Sequence, residues 1–213
     1  MEREAREQGL GVALSASVLF IRPGPLAPLE THTEVLRKGG RVGVLEATLL
    51  ADGQVIAKGT ASFVVPRPVE GTPAVAPQPC DPADLPHWEL PRRPEHKTLF
   101  DALDIRDDGH ATKWARLLRR LVPYASPFAN LFAVADNGTP FYLTAHGLAP
   151  FHLAFPNIDL AIHVSRAPGG EWIGVTAQSD WRPEGMGLTE SALYDEHGLL
   201  GRACQTVVLM PRA

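Results

Sequence analysis

The sequence predicts an α+β protein built from two similar strand-rich units. Residues 17–64 and 161–209 read as two copies of one unit, about 144 positions apart. The dipeptide Asp52-Gly53 joins two apolar, valine-containing runs, which is a strong hairpin signal. Two copies at this spacing do not indicate a solenoid. They indicate a fused pair of domains, and we expect any functional site to lie between them.

The two copies match at both ends. Ser17-Val-Leu-Phe-Ile-Arg22 leads into Pro-Gly-Pro, and Ala161-Ile-His-Val-Ser-Arg166 leads into Ala-Pro-Gly-Gly. Further along, Gly53 stands seven residues before Thr60, and Gly198 stands seven residues before Gln205. Each glycine opens a run with a valine-rich end, so we expect four strands in the same order in both copies.

The first half is predicted to be almost entirely strand. A charged segment at 2–8 has the character of the end of a helix, which Gly9 stops. Alternation of apolar and polar residues, together with β-branched content, predicts the strands that follow. Their expected ranges are 13–22, 29–37, 41–51 and 54–65.

Residues 66–96 differ in kind, because nine of these 31 residues are proline. Proline lacks the N–H that a strand ladder needs and has a fixed φ angle, so this stretch is predicted to be an extended linker. The predicted division of the chain is therefore an N-terminal partial unit at 1–65, the linker at 66–96 and a C-terminal unit at 97–213.

The second half contains the predicted helix, at 127–135. Ser126-Pro127 supplies a cap and a first-turn proline, and Asp136-Asn137-Gly138 stops the helix. The segments 97–106 and 111–121 are compatible with either strand or helix. The four repeated strands are then expected at 158–166, 171–181, 187–195 and 199–210.

The two copies differ in the length of chain that precedes their repeated strands. The second copy has about 45 residues, 112–156, ahead of its repeated strands, whereas the first has only the helix end at 2–8. Either the chain was shortened, or its start was chosen late, or another subunit covers the gap. We therefore expect the first unit to be truncated at its N-terminus. A sheet face without its helix would expose apolar surface, and such surface favours contact with a partner subunit.

Composition and motifs exclude several classes of function. The net charge is −4 and no basic run contains interleaved aromatic residues, which argues against nucleic acid as a partner. No apolar run reaches the roughly 18 residues of a membrane span, and the charged N-terminus does not resemble a signal peptide. Cys80 and Cys204 lie far apart, and the eight histidines have no metal-ligand spacing. Neither a serine-hydrolase elbow nor a nucleotide-binding glycine loop is present. We expect a cytoplasmic protein without metal or cofactor.

Three polar residues stand out from their apolar surroundings. Asp136 closes an apolar helix, Asn157 begins a strand after Pro156, and Gln205 lies within the strand Ala203-Cys-Gln-Thr-Val-Val-Leu. Each has an ordinary structural explanation, as a turn residue, a strand start or an outward-facing strand position. A functional interpretation depends on the three coming together.

Several longer strings resemble one known family. Phe155-Pro-Asn157-Ile-Asp-Leu-Ala-Ile-His163 and the run from Trp181 through Gly185-Met-Gly-Leu to Gly201-Arg-Ala-Cys-Gln205 resemble the C-terminal half of type II acyl-CoA thioesterases. Phe20-Ile-Arg-Pro23 and the predicted hairpin at Asp52-Gly53 resemble the N-terminal half of that family. The resemblance implies a double hot-dog, in which two helix-on-antiparallel-sheet units are fused. It also implies that a strand and most of a helix are missing ahead of residue 1.

The resemblance implies roles for particular residues. Asp136, Asn157 and Gln205 would jointly position the water that hydrolyses a fatty acyl-CoA, and Asn157 stands where other members have a hydroxyl. Phe128, Leu131 and Phe132 would contact the acyl chain, although ordinary core packing explains them as well. Arg166 would approach the CoA phosphates, with Arg182 as a second candidate.

Two alternatives to a thioesterase stay open. One is a non-catalytic acyl-CoA-binding protein that keeps the fold with a degraded site, which the missing first helix favours. The other is a hydratase acting on enoyl-CoA, but this needs an Asp/His pair and no histidine lies within a few residues of Asp136. The resemblance further implies a homodimer or homotetramer.

Overall fold

A computed structural model describes residues 1–73, 76, 78, 80–89, 98–148 and 152–212. Ten of its strands form one antiparallel sheet. The first half contributes a short helix and four strands: α1 (Glu2–Glu7), β1 (Val12–Phe20), β2 (Glu30–Lys38), β3 (Val42–Ala51) and β4 (Gln54–Val64). The β3–β4 hairpin turns at Asp52 and Gly53, whose φ angles of 47° and 74° match the left-handed backbone that such a turn requires.

The second half contains two further helices and the remaining strands. Two 3₁₀ turns, Pro82–Asp84 and Leu99–Ala102, precede β5 (Leu103–Asp107) and β6 (Thr112–Leu117). The helices are α2 (Pro127–Ala135) and α3 (Gly138–Ala145). The strands that follow are β7 (Leu153–Ala154), β8 (Asp159–Val164), β9 (Ile173–Arg182), β10 (Met186–Asp195), β11 (Gly198–Val208) and β12 (Met210–Pro211), with β7 and β12 forming a separate pair.

The strand order repeats about the junction between β1 and β8. The sheet runs β2-β3-β4-β1-β8-β11-β10-β9-β6-β5, so β1-β4-β3-β2 on one side corresponds to β8-β11-β10-β9 on the other. Antiparallel pairing of Ala16 with Ile162 and of Val18 with Leu160 joins the two halves. The repeat predicted from sequence is therefore visible in the topology, and a single sheet contains both copies.

Helices α2 and α3 pack on the half of the sheet that the second copy forms. Helices α2 and α3 pack on β6, β9 and β10, and they bury apolar residues at helical spacing, including Leu131, Val134 and Phe141. In the first half, α1 packs on β1, where Ala5 and Leu10 are buried. None of the helices in the described part of the chain has the length and apolar character needed to cross a membrane.

Helix α3 was missed by the sequence prediction, which had the helical segment end at Asp136-Asn137-Gly138. The stop is real, because α2 ends at Ala135, but a new helix begins at Gly138. Its third residue is Pro140, which is tolerated because the N–H groups of a first helical turn have no partner within the helix. The two undecided segments, 97–106 and 111–121, contain strands β5 and β6.

The described residues of the predicted linker dock on the sheet. The Gln78 and Cys80 N–H groups donate to the turn between β10 and β11, at 3.2 and 3.3 Å. Further along, Trp88 donates to the Ile105 carbonyl and Asp107 donates to the Pro86 carbonyl, at 2.9 and 3.0 Å. The segment 86–88 therefore pairs with the free edge of β5. Positions 74, 75, 77, 79 and 90–96 of the predicted linker lie outside the described residues.

Candidate active site

The three polar residues singled out in the sequence lie in contact. Asn157 Nδ2 donates a hydrogen bond of 2.7 Å to Asp136 Oδ1. Gln205 Nε2 donates a hydrogen bond of 3.0 Å to the Asp136 backbone carbonyl and lies 3.5 Å from Asp136 Oδ1. Residues that are 21 and 69 positions apart from Asp136 therefore converge on it.

The break between α2 and α3 positions Asp136. It is the C-cap residue of α2, and the buried Asn137 side chain donates to the Ala133 carbonyl at 2.8 Å, which satisfies the end of that helix. A Cβ atom at Gly138 would lie 2.7 Å from Ser191 Oγ and 3.0 Å from Gln205 Oε1. Because the start of α3 approaches the sheet this closely, only glycine fits there without a shift of its neighbours.

Gln205 presents a free acceptor to this break. Its side chain is only 2% exposed, and Oε1 accepts no hydrogen bond from the described residues. The amide orientation follows from its contacts, since the opposite atom, Nε2, donates to Asp136. A buried acceptor without a donor destabilises a fold, so such an atom calls for a ligand or a functional explanation.

Burial raises the pKa of the Asp136 carboxyl above its ordinary value, while the hydrogen bond from Asn157 opposes that shift. Loss of water around a carboxylate disfavours the charged form, and the amide donor favours it. A carboxylate with a raised pKa is a stronger base than an exposed one, which suits general base catalysis near neutral pH.

A row of hydroxyl groups anchors the start of α3 to the sheet. Thr189 lies opposite Gln205 on β10, and its Oγ1 is 2.7 Å from Thr139 Oγ1 and 2.6 Å from Ser179 Oγ. Thr189 is fully buried and Thr139 is 4% exposed. The sequence analysis did not identify these residues, since Thr and Ser are common in strands and their shared row depends on the pairing of β9, β10 and β11.

The groups at the site are carboxylate, amide and hydroxyl. Within the described residues, no three His, Cys, Asp or Glu side chains come together in a way that could hold a metal ion.

The predicted acyl-chain residues form an apolar stripe on α2. Leu131 is completely buried and Phe128 is 6% exposed, and both belong to the hydrophobic core. Phe132 is partly buried against the same core. Phe128 also lines a cleft of about 210 Å³ at the start of α2, which is bounded by Val12, Phe63 and Pro168.

A carboxylate from the N-terminal segment caps α2 at the same end. Glu2 accepts hydrogen bonds from the Ser126 hydroxyl, from Phe128 N at 3.4 Å and from Ala129 N at 3.1 Å. An acidic group suits a helix N-terminus, because it satisfies N–H groups and the positive end of the helix dipole. Glu2 of α1 therefore holds the start of α2, the helix whose C-cap residue is Asp136.

Arg166 is engaged by a buried carboxylate. Its Nη1 and Nη2 atoms lie 2.5 and 2.6 Å from the two oxygens of Asp195, whose side chain is fully buried. Burial alone would raise the pKa of Asp195, but hydrogen bonds from Arg166, Gly169 N and His197 N lower it overall. Asp195 is six residues from Thr189 along β10, about 20 Å at the usual strand rise. Arg166 thus lies far from Asp136. A phosphate bound by its guanidinium would have to compete with the Asp195 carboxylate.

The antiparallel sheet and its helix pair define a hot-dog fold. The structure is similar to a conserved protein of unknown function with a hot-dog fold from Alicyclobacillus acidocaldarius, with 21% sequence identity and a TM-score of 0.70, over 95% of this chain and 80% of that one. It is also similar to the acyl-CoA thioesterase II TesB2 of Mycobacterium marinum, with 20% identity and a TM-score of 0.68, over 96% of this chain and 82% of that one. A tesB protein of Mycobacterium avium subs paratuberculosis shares 17% identity and a TM-score of 0.68, over 97% and 82%.

The chain belongs to the acyl-CoA thioesterase family. Residues 1–64 match the acyl-CoA thioesterase N-terminal domain, and residues 66–209 match the acyl-CoA thioesterase C-terminal domain. Among curated proteins, none matches the chain significantly. Membership of this family makes the protein a thioester hydrolase, in agreement with the interpretation of the sequence motifs.

Proposed function

We propose that the protein hydrolyses a fatty acyl-CoA to the free acid and CoA, with Asp136 as the general base and with Asn157 and Gln205 holding the attacking water. We further infer that its sheet comprises two fused hot-dog units, since the strand order repeats about the β1–β8 junction. The observation that carries the catalytic proposal is the contact at one helix break between a buried carboxylate and the buried Gln205 amide, whose Oε1 accepts no hydrogen bond from the described residues.

The proposed water lies between Asp136 and Gln205. Asn157 holds Asp136 Oδ1, and a water at this point could donate one hydrogen to the carboxylate and the other to Gln205 Oε1. Its lone pair would then face the thioester carbon, and such fixed orientation accounts for much of enzymatic rate enhancement.

The proton balance is simple. As the water oxygen bonds to the thioester carbon, Asp136 takes one water proton, which leaves a tetrahedral oxyanion. The C–S bond then breaks, and the protonated Asp136 returns its proton to the CoA thiolate. A positioned general base of this kind contributes a factor of roughly 10²–10⁴ in rate.

The start of α3 is the proposed oxyanion site. First-turn N–H groups have no acceptor within their helix and carry the positive end of its dipole. The position of a Gly138 Cβ lies 3.0 Å from Gln205 Oε1, so these N–H groups lie beside the proposed water. Donors in this place stabilise the charge that develops on the carbonyl oxygen.

The acyl chain is proposed to run along α2 towards the cleft at Phe128. Eight residues separate Phe128 from Asp136, which corresponds to about 12 Å of helix. Phe132 and Phe128 would contact the chain, while Leu131 supports them from the core. Arg166 stays a candidate for the CoA phosphates. A cytoplasmic location and a homodimer or homotetramer also stay predictions.

Acyl-CoA substrates of different chain length, with release of free thiol as the readout, test the proposal. We expect turnover by the wild type and a loss of at least about a hundredfold for Asp136→Ala. Asp180→Ala is the matched control, because this carboxylate is exposed and pairs with Arg182 on the surface. Absence of turnover on every chain length, with acyl-CoA still bound, would favour the non-catalytic alternative. Equal turnover by Asp136→Ala would rule out that residue as the base.

A further inference from the structure

Trp181 contains a buried donor that none of the described residues satisfies. Its indole Nε1 is inaccessible to solvent and has no hydrogen-bond acceptor in the described part of the chain. Since an indole N–H can only donate, it needs an acceptor. Leaving such a group buried and unpaired destabilises the fold, so a ligand that supplies an acceptor would remove that penalty.

Trp181 lies in the same row of the sheet as Asn157. On neighbouring strands Trp181 pairs with Gly187, Gly187 pairs with Val207, and Val207 forms a bridge with Asn157. Two residues further along the same strands, a second row contains Ser179, Thr189 and Gln205, whose side chains lie on the same face of the sheet. Among the described residues, the unsatisfied donor and the unsatisfied acceptor therefore lie in successive rows of one face.

The indole lies over Gly187 of β10, the strand that pairs with β11. A Cβ atom at Gly187 would be 2.8 Å from Trp181 Cδ1, 3.3 Å from Nε1 and 3.4 Å from Val207 Cβ. Because Gly187 has no side chain, the indole fills the space above it, on the same face of the sheet as the Val207 side chain. The ring of Phe155, two residues before Asn157, packs on the other side of the indole with centroids 5.7 Å apart.

The strand spacing defines the interval that a substrate bound at Asp136 has to cross to reach the indole. Nε1 lies over β10, and Asn157 pairs with the far side of β11, so about two strand spacings, or ~10 Å, separate the indole from the Asn157 backbone. An acyl-pantetheine with its thioester carbon near Asp136 would extend along this interval to bring a carbonyl oxygen to the indole.

We propose that the Trp181 indole N–H donates a hydrogen bond to a carbonyl oxygen of the bound acyl-pantetheine substrate. The acceptor is either the thioester carbonyl or the nearest amide carbonyl of the pantetheine arm, since both are oxygens without a hydrogen of their own. The inference rests on the proposed function, because it names a further contact of the same substrate.

Trp181→Phe, which keeps an aromatic ring against Phe155 and removes only the N–H end, tests the inference by binding. Two non-hydrolysable ligands are measured by calorimetry: a ketone analogue with a methylene between sulfur and carbonyl, and an S-alkyl-CoA thioether without that carbonyl. We expect the variant to bind the ketone about five- to tenfold more weakly than the wild type does, as loss of one hydrogen bond predicts.

The thioether identifies the acceptor. Unchanged affinity for the thioether assigns the thioester carbonyl, and an equal loss for both ligands assigns the pantetheine amide. If Trp181→Phe binds both ligands as the wild type does, the inference is wrong while the proposed function stands. If the wild type binds neither ligand, both are wrong.

Trp172→Phe is the matched control. Trp172 is buried at the opposite end of β9, where Arg116 stacks on its ring at 4.8 Å, so the same chemical change is made far from Asp136. We expect this variant to bind both ligands with wild-type affinity. Circular dichroism and thermal melts establish that both variants are folded. A comparable loss in Trp172→Phe would show that the effect at Trp181 is general destabilisation, which would overturn the inference.

Discussion

The Asn157 side-chain amide donates a 2.7 Å hydrogen bond to the Asp136 carboxylate, and so connects the start of β8 to the break between α2 and α3. This contact orients the carboxylate and partly offsets the cost of burying it. The same carboxylate oxygen lies 3.5 Å from Gln205 Nε2, so the proposed base is beside the buried Gln205 amide.

Asp136→Asn should lose activity and gain stability at neutral pH. The folded-state pKa of Asp136 is raised by burial, so the ionised group destabilises the fold at every pH above that value. As the pH falls through the folded pKa towards the unfolded one, protonation removes the penalty. The stabilising effect of the substitution, measured by urea unfolding, should therefore be largest at neutral pH and smaller in acid. A variant less stable than the wild type at pH 7 would contradict this.

The rate should depend on the ionised form of Asp136. We expect kcat/KM to fall on the acid side at a pH above the ordinary pKa of an aspartate, because burial raises the pKa of Asp136. Since Asn157 lowers that pKa, Asn157→Leu should displace the acid limb to still higher pH. If the acid limb of the pH profile is the same in Asn157→Leu as in the wild type, Asn157 does not affect the pKa of the base.

Gly138→Ala should damage the site and the fold together. The added Cβ would meet Ser191 Oγ at 2.7 Å and Gln205 Oε1 at 3.0 Å, so α3 would have to shift away from β10 and β11. Overpacking of this kind costs about 1–3 kcal/mol, and we expect kcat to fall with it. Gly40→Ala is the control, since a Cβ there meets no atom within 4 Å and its φ is not positive. Equal thermal midpoints and rates for the two variants would refute the packing argument.

Glu2→Ala should destabilise the protein by about 1 kcal/mol, the usual cost of removing a helix cap. The loss is expected because Glu2 accepts from Phe128 N and Ala129 N at the start of α2. Glu7→Ala is the control, as Glu7 is exposed in the same helix α1. Thermal unfolding of the two variants decides the matter, and a larger loss in Glu7→Ala would be contrary to expectation.

Arg166→Ala distinguishes a structural role from a substrate role. Asp195 would be left buried without its partner, and breaking a buried pair costs about 3–5 kcal/mol; the partial exposure of Arg166 reduces this to roughly 2 kcal/mol. We expect this loss of unfolding free energy with little change in KM. Unchanged stability with a raised KM for acyl-CoA, but not for a thioester lacking the nucleotide, would instead assign Arg166 to the CoA phosphates.

Strong local signals in the sequence predicted the strands and α2 well. The hairpin at Asp52-Gly53 and the first-turn proline at Pro127 encode their own backbone geometry, so β3, β4 and α2 begin or end within a residue of the predicted positions. The segment 97–106 has no such signal, and its strand β5 depends on pairing with β6 and with residues 86–88.

The candidate site was predictable only in part. Asp136, Asn157 and Gln205 stood out as polar residues in apolar surroundings, and their roles stay predictions. Thr139 and Thr189 did not stand out, and Trp181 was noted only as the start of a family-like string, because their importance depends on which residues share a row of the sheet. Arg166 was selected for its charge, and its pairing with Asp195 could not be read from residues 29 positions apart.

The sequence by itself determined the local elements and the internal repeat, because hydrophobic periodicity, turn residues and capping act over a few neighbouring positions. Only the tertiary structure decided that both copies share one sheet and that α3 follows α2 across a break. It also decided that an amide oxygen and an indole N–H are buried without partners among the described residues. Those features arise from contacts between residues far apart in the chain, and such contacts produce no periodic pattern in the amino-acid sequence.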